Sequence, residues 1–267
     1  MYETQITRLA DLLVEFGANV QPDQIVAVGS ELGKEPLTRA IAASAYRRGA
    51  KFVEVSYADP HIKRARILNS SPERLQEFPS WFGQRMLELG EQKCARVSLS
   101  GPVEPHLLDD LDQLLVGREK SAPMKEGGVV MNARTTNWTI GPCPTIGWAK
   151  LVHPEIDDDE AALAKLWSEI EHVCRLDTDD PVTAWRARIE ELAQVADAMT
   201  EQRFDSLRFA GPGTDLTVGL LPSSKWIMAK FETADGLQHM PNIPSEEVFT
   251  TPDPTRTNGV VKSTKPL

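Results

Sequence analysis

The chain is poor in cysteine, short of positive charge, and without a long apolar run. Cys94, Cys143 and Cys174 are an odd, widely spaced set of three. Such a set excludes a disulfide framework and a zinc knuckle, and it predicts a reducing, cytoplasmic setting. No apolar stretch nears the roughly 18 to 20 residues that cross a bilayer. The start, Met1-Tyr2-Glu3-Thr4-Gln5, is polar and lacks the apolar centre of a signal peptide. Lys and Arg number 29 against 39 Asp and Glu, a formal net charge of −10. Excess negative charge argues against nucleic acid or an anionic membrane as partner. Tyrosine is scarce, at 3 against 6 Trp, and packing accounts for each Trp.

Familiar catalytic signatures are absent too. There is no G-x-G-x-x-G, H-E-x-x-H or G-x-S-x-G. Gly29-Ser30-Glu31-Leu32-Gly33-Lys34-Glu35 falls one residue short of a phosphate loop, and Glu35 stands where a Ser or Thr would meet magnesium. It reads as a turn before a helix. A small-molecule-binding α/β module using the strand ends near Gly29–Lys34 is a separate, weaker reading.

What is present has α/β rhythm. Hydrophobic residues are 41% and charged residues 25%, so 267 residues suffice for a sizeable core and two domains. Ile6, Leu9, Leu12, Leu13 and Phe16 form one helical stripe ending at Gly17. Ile25–Val28 is a strand buried on both faces; Pro36 opens a helix to Gly49; Phe52–Tyr57 is the next strand. These make a βαβ unit. Helices are predicted around 72–90, interrupted at Pro79, and over Glu104–Leu115, with a strand at Ala95–Ser100 between them. Asp157–Glu160 opens a helix with Leu163, Leu166, Trp167, Ile170 and Val173 on one side. Asp180-Pro181 opens another, with Trp185, Ile189, Leu192, Val195 and Met199 inward. After that the pattern is β, with short strands at Leu207–Ala210, Leu216–Leu220 and Trp226–Ala229. The expected architecture is an α/β domain over 1–203, a mostly parallel sheet flanked by helices. The β-rich beginning of a second domain follows over 204–267.

Chemistry concentrates in Met240-Pro241-Asn242-Ile243-Pro244-Ser245-Glu246-Glu247-Val248-Phe249-Thr250. A hard divalent cation prefers oxygen ligands, and the Glu246-Glu247 pair offers them. An isolated acidic pair is usually solvated surface. Val248 and Phe249 make this one part of a half-buried element, where a charged carboxylate needs a cation or donors. On a strand the two side chains point to opposite faces, so one of them enters a given cleft. His61, His106 and His153 stand alone and read as structural or exposed, Glu169-x-x-His172 as a solvated helix face, and His239 as a residue near the carboxylates without a role.

The string Met240–Thr250, with Thr251-Pro252-Asp253 and Gly259-Val260-Val261-Lys262-Ser263-Thr264-Lys265-Pro266-Leu267, resembles the M29 metallopeptidases, the aminopeptidase T and aminopeptidase II group of thermophilic-type aminopeptidases. Gly213-Thr214-Asp215-Leu216-Thr217 resembles their entry into the catalytic domain, and Trp138…Pro144-Thr145-x-x-Trp148-Ala149 another of their segments. Gly49-Ala50-Lys51 fits as well, so the resemblance covers essentially the whole chain. It implies a cytoplasmic, homodimeric metallo-aminopeptidase that releases N-terminal residues from peptides through water activated by two divalent ions (zinc, cobalt or magnesium). Either Glu246 or Glu247 would be a metal ligand. The resemblance places the other ligands, a second glutamate, histidines and an aspartate, beyond Leu267, so the chain is expected to be C-terminally truncated. The alternative expectation is a catalytically inactive fragment that keeps the fold and dimerises.

Overall fold

A computed structural model describes residues 2–119 and 124–264. Met1 and Lys265-Pro266-Leu267, the ends of two segments quoted above, lie outside the described residues. The chain forms two compact units, residues 1–182 with 230–244 and residues 183–229 with 245–267. The sequence suggested a single boundary between 203 and 204. The compact units instead interleave along the chain.

The elements of the first unit begin with α1 (Glu3–Leu12), whose last turn widens into a π-helical turn at Leu13–Gly17. Next come β1 (Ile25–Glu31), α2 (Glu35–Arg47), β2 (Phe52–Ala58) and α3 (Pro60–Asn69). They are followed by α4 (Ser80–Glu91), β3 (Ala95–Ser100), α5 (Gln113–Arg118), α6 (Met124–Ala133), β4 (Trp138–Pro142), α7 (Ile146–Val152) and α8 (Asp159–Val173). The four strands make one parallel sheet in the order β2-β1-β3-β4. Leu9, Leu12 and Leu13 of the first helix are fully buried beside Val26 and Val28 of β1 and Leu37 and Ile41 of α2. This is the mostly parallel, helix-flanked sheet expected from the apolar runs.

Locally, the structure adds one helix to these readings, removes one and keeps one interruption. Asp59 caps α3, accepting from the His61 amide, although the helix has little apolar periodicity. Glu104–Leu115 is not a helix: turns fill it up to Asp112, which caps the short α5. Around 72–90 one 3-10 turn at Arg74–Gln76 precedes α4, with Pro79 between them as expected.

α9 (Pro181–Glu201) runs into the second unit. Its buried stripe is Trp185, Ile189, Leu192 and Ala196, whereas Val195 is exposed, as is Val173 of α8. Both misplacements are one-position errors of helical phase. β5 (Ser206–Gly211) and β6 (Thr214–Leu220) form a hairpin across Pro212-Gly213. Gly213 sits at φ 76°, and Pro followed by a positive-φ glycine is the chemistry of a type II turn. β7 (Ile227–Met228) lies in this unit, and β8 (Phe231–Glu232) and β9 (Gln238–His239) pair as a hairpin in the first. β10 (Val248–Phe249) pairs antiparallel with β7, and β11 (Pro252–Val261) with β6. No helix among the described residues is long and apolar enough to cross a membrane.

Candidate functional site

The Met240–Thr250 string begins in the first unit and ends in the second. Its first half is stitched to the parallel sheet. The Met240 amide donates to Gly17 O at 2.8 Å, the Ile140 amide to Pro241 O at 2.7 Å, and the Ile243 amide to Ile140 O at 3.0 Å. Asn242 forms a parallel bridge with Ile140 of β4, so the string adds a short extension beyond the β4 edge. Met240 and Ile243 are buried there.

The second half carries the carboxylates. Ser245 is buried, Glu246 and Glu247 are exposed, and Val248 then pairs with Met228 and Phe249 with Ile227. Both carboxylates precede β10 and both are exposed, so the opposite-face alternation of a strand does not apply to the pair. The Arg188 Nε of α9 donates to Glu246 Oε2 at 2.5 Å, and its Nη1 donates to Glu191 Oε2 at 2.8 Å, one turn further along the helix. Hydrogen bonds to Glu191 and Glu246 push the Arg188 guanidinium above its ordinary value. One of the two carboxylates thus already has a cation, and it is an arginine. The side chains are about one-third and two-fifths exposed, so the pair orients Glu246 more than it stabilises the fold. Arg188 was not legible as a site residue, because it stands 58 positions before Glu246 with no motif between them.

The other candidates are placed separately. His61 bonds Glu104 at 2.8 Å and His106 bonds Asp109 at 2.7 Å, all on the exposed surface. His153 is buried and bonds Glu169 at 3.0 Å, while exposed His172 bonds Asp177 at 3.1 Å. Glu169 and His172 therefore serve different partners. His239 belongs to the first unit, not to the unit that holds Glu246 and Glu247. Among the described residues no three His, Cys, Asp or Glu side chains gather where a metal ion could be held. The described residues thus do not make up a metal centre by themselves, since tight binding needs several ligands in fixed geometry.

Two further readings are decided by local bonding. In the Gly29–Glu35 turn, the Gly33 amide donates to the Glu35 carboxylate at 3.0 Å, which holds that carboxyl below its usual range. Lys34 is buried and pairs with Glu31 at 3.0 Å. The groups a phosphate would use are already engaged. Burial pushes the Cys143 and Cys174 thiols up to about 12, so they are inert at neutral pH.

Fold and site define a class: an α/β protein with a parallel sheet and a second unit displaying a carboxylate pair, of which Glu246 is held by an arginine. The chain belongs to the thermophilic metalloprotease (M29) family, whose pattern matches residues 2–267. It is 34% identical over 269 residues to aminopeptidase T of Thermus thermophilus, and 34% identical over 269 residues to aminopeptidase 2 of Geobacillus stearothermophilus. In each case all of this chain and 65% of the relative are covered, so the chain spans about two thirds of the length of these curated relatives. The solved structure of wild-type AmpT from Thermus thermophilus is similar at a TM-score of 0.89 and 33% identity, covering 100% of this chain and 66% of that one.

Proposed function

We propose that the protein acts as a metal-dependent aminopeptidase, releasing N-terminal residues from peptides that carry a free amino end. The observation that carries this reading is the match of the M29 pattern along 2–267, with relatives named as aminopeptidases at about one-third identity. Either Glu246 or Glu247 supplies one oxygen ligand, and two divalent ions complete the centre with groups beyond the described residues. Bound divalent ions of this kind lower the pKa of water and polarise a carbonyl. The contribution of this chain's own residues is narrower. β10 follows the pair directly and ties the next two residues to β7, and Arg188 fixes the Glu246 carboxylate by a charge-assisted bond. We place the enzyme in the cytoplasm as a homodimer.

A second reading is that the 267-residue chain by itself turns over no peptide. It is favoured by the commitment of Glu246 to Arg188 and by the lack of a three-ligand cluster among the described residues. The test is hydrolysis of a leucine chromogenic substrate, with and without chelator, by this chain and by a version extended to the length of its relatives. Chelator-sensitive turnover by the extended version is expected, and its absence sinks the aminopeptidase reading. Chelator-sensitive turnover by the 267-residue chain sinks the second. In the active form, Gln at the liganding member of the pair abolishes turnover and lowers the bound metal content measured by elemental analysis.

A further inference from the structure

A cavity of about 370 Å³ lies in the first unit, whereas the acidic pair belongs to the second, and the proposed chemistry does not use it. α6 supplies one wall through Val130 and Met131, β4 supplies Trp138, and the β8–β9 hairpin supplies Phe231 and His239. The volume falls in the range of small-molecule sites.

The wall is built rather than incidental. Arg134 sits at φ 51° just past α6, a conformation typical of a helix end, and its carbonyl accepts the Ala234 amide at 2.8 Å. That bond ties the hairpin to the helix end. Lys93 holds Asp235 of the hairpin turn at 2.8 Å, and the Asn19 side chain donates to Gln238 O at 2.8 Å. Trp138, Phe231 and His239 then meet as three rings with centroids 6.1 to 6.2 Å apart.

Two features point to a ligand. His239 is 4% exposed, and neither ring nitrogen has a hydrogen-bond partner. Buried polar atoms are normally satisfied, so an unpartnered imidazole against a cavity calls for an occupant or water. The second feature is charge. Arg134 and Lys230 line the cavity against one acid, Glu232, in a chain whose net charge is −10. None of the three has an ion-pair partner among the described residues. Unpaired cations over aromatic walls suit an anion with an apolar body, because the guanidinium offers paired donors to a carboxylate. A cationic ligand would have to approach Arg134 and Lys230.

We propose that this cavity binds a small organic carboxylate with an aromatic body, the ring resting on Trp138 and Phe231 and the carboxylate meeting Arg134 and Lys230. The inference does not depend on the aminopeptidase reading.

The test is calorimetric titration of the 267-residue chain with 3-phenylpropionate, with its uncharged amide and with phenethylamine. The expected result is saturable binding of the acid, about tenfold tighter than the amide, and none of the amine. Arg134→Gln/Lys230→Gln should weaken the acid about tenfold and leave the amide unchanged; the single Arg134→Gln change gives the same direction. Nuclear magnetic resonance should show the Trp138 indole and His239 imidazole signals moving on saturation. The proposal is overturned by no saturable binding of the acid or by equal or tighter binding of amide or amine. Unchanged affinity in the variants, or binding that leaves Trp138 and His239 unmoved, overturns it as well.

Discussion

At the residue scale, His239 is the group whose energetics are most exposed to test. Burial is the main cause that lowers its pKa below the ordinary 6.5; the Leu237 carbonyl opposes this weakly, at a geometry too poor for a hydrogen bond. The sign follows from linkage. The unfolded chain takes up the proton near pH 6.5 while the folded chain resists it. The stability this ring allows is therefore complete above about pH 6.5 and is lost as pH falls toward the depressed folded value. His239→Phe removes two unpartnered polar atoms and keeps a ring among Trp138 and Phe231. It should stabilise the fold at neutral pH by about 1–3 kcal/mol, the usual cost of leaving buried polar groups unsatisfied. The gap between variant and parent should widen between pH 6.5 and 5 in urea unfolding. A gap that stays constant with pH would show that the ring is not held neutral. Residue chemistry was only partly legible in the sequence. Glu246 and Glu247 stood out through their neighbours, but the arginine that holds Glu246 and the rings around His239 are brought there by distant segments.

At the element scale, period and composition located β1, β2 and β3: β1 is a continuous apolar run with Val26, Ala27 and Val28 buried, while β2 at the sheet edge and β3 beside β1 alternate apolar with polar residues. Both signals failed at α3, where the cap and Pro60 were the only signals, and at Glu104–Leu115, whose leucines invite a helix the turns do not form. The junction of the first helix with β4 was invisible for a different reason, since it depends on an absent side chain. A Cβ on Gly141 of β4 would lie 2.3 Å from Leu13 Cδ2, and Leu13 is fully buried in the π-helical turn. Gly141→Ala should destabilise by about 1–3 kcal/mol through overpacking. Gly128 of α6 has no atom within 4 Å of an added Cβ. Gly128→Ala should stabilise by about 0.5–1 kcal/mol, since glycine is costly within a helix. Thermal midpoints of the two variants should move in opposite directions. Equal shifts would mean that Leu13 yields and the junction is loosely packed.

At the scale of the whole molecule, the chain returns to its first unit after leaving it, and no linear reading of composition could show that. Residues 230–244 follow 47 residues of the second unit and precede 23 more, yet their backbone bonds go to Arg134, Gly17 and Ile140 of the first. Amide exchange reports the cooperative unit to which each amide belongs. The amides of Ala234, Met240 and Ile243 donate to those three carbonyls at 2.8, 2.8 and 3.0 Å. They should exchange together with β1, β3 and β4, at the slow end of the molecule. β5 and β11 are largely exposed and form, with β6 between them, the sheet of the smaller unit, so its amides should open more readily. Native-state hydrogen exchange with residue resolution distinguishes the two possibilities. If 230–244 exchanges at the rate of 206–229, the return to the first unit is not a cooperative part of it. If it exchanges at the rate of the parallel sheet, the hairpin wall beside Trp138 and the anchored half of the Met240–Thr250 string belong to one rigid body. The acidic pair then begins two residues beyond that anchor, at Glu246, held from its own unit by Arg188.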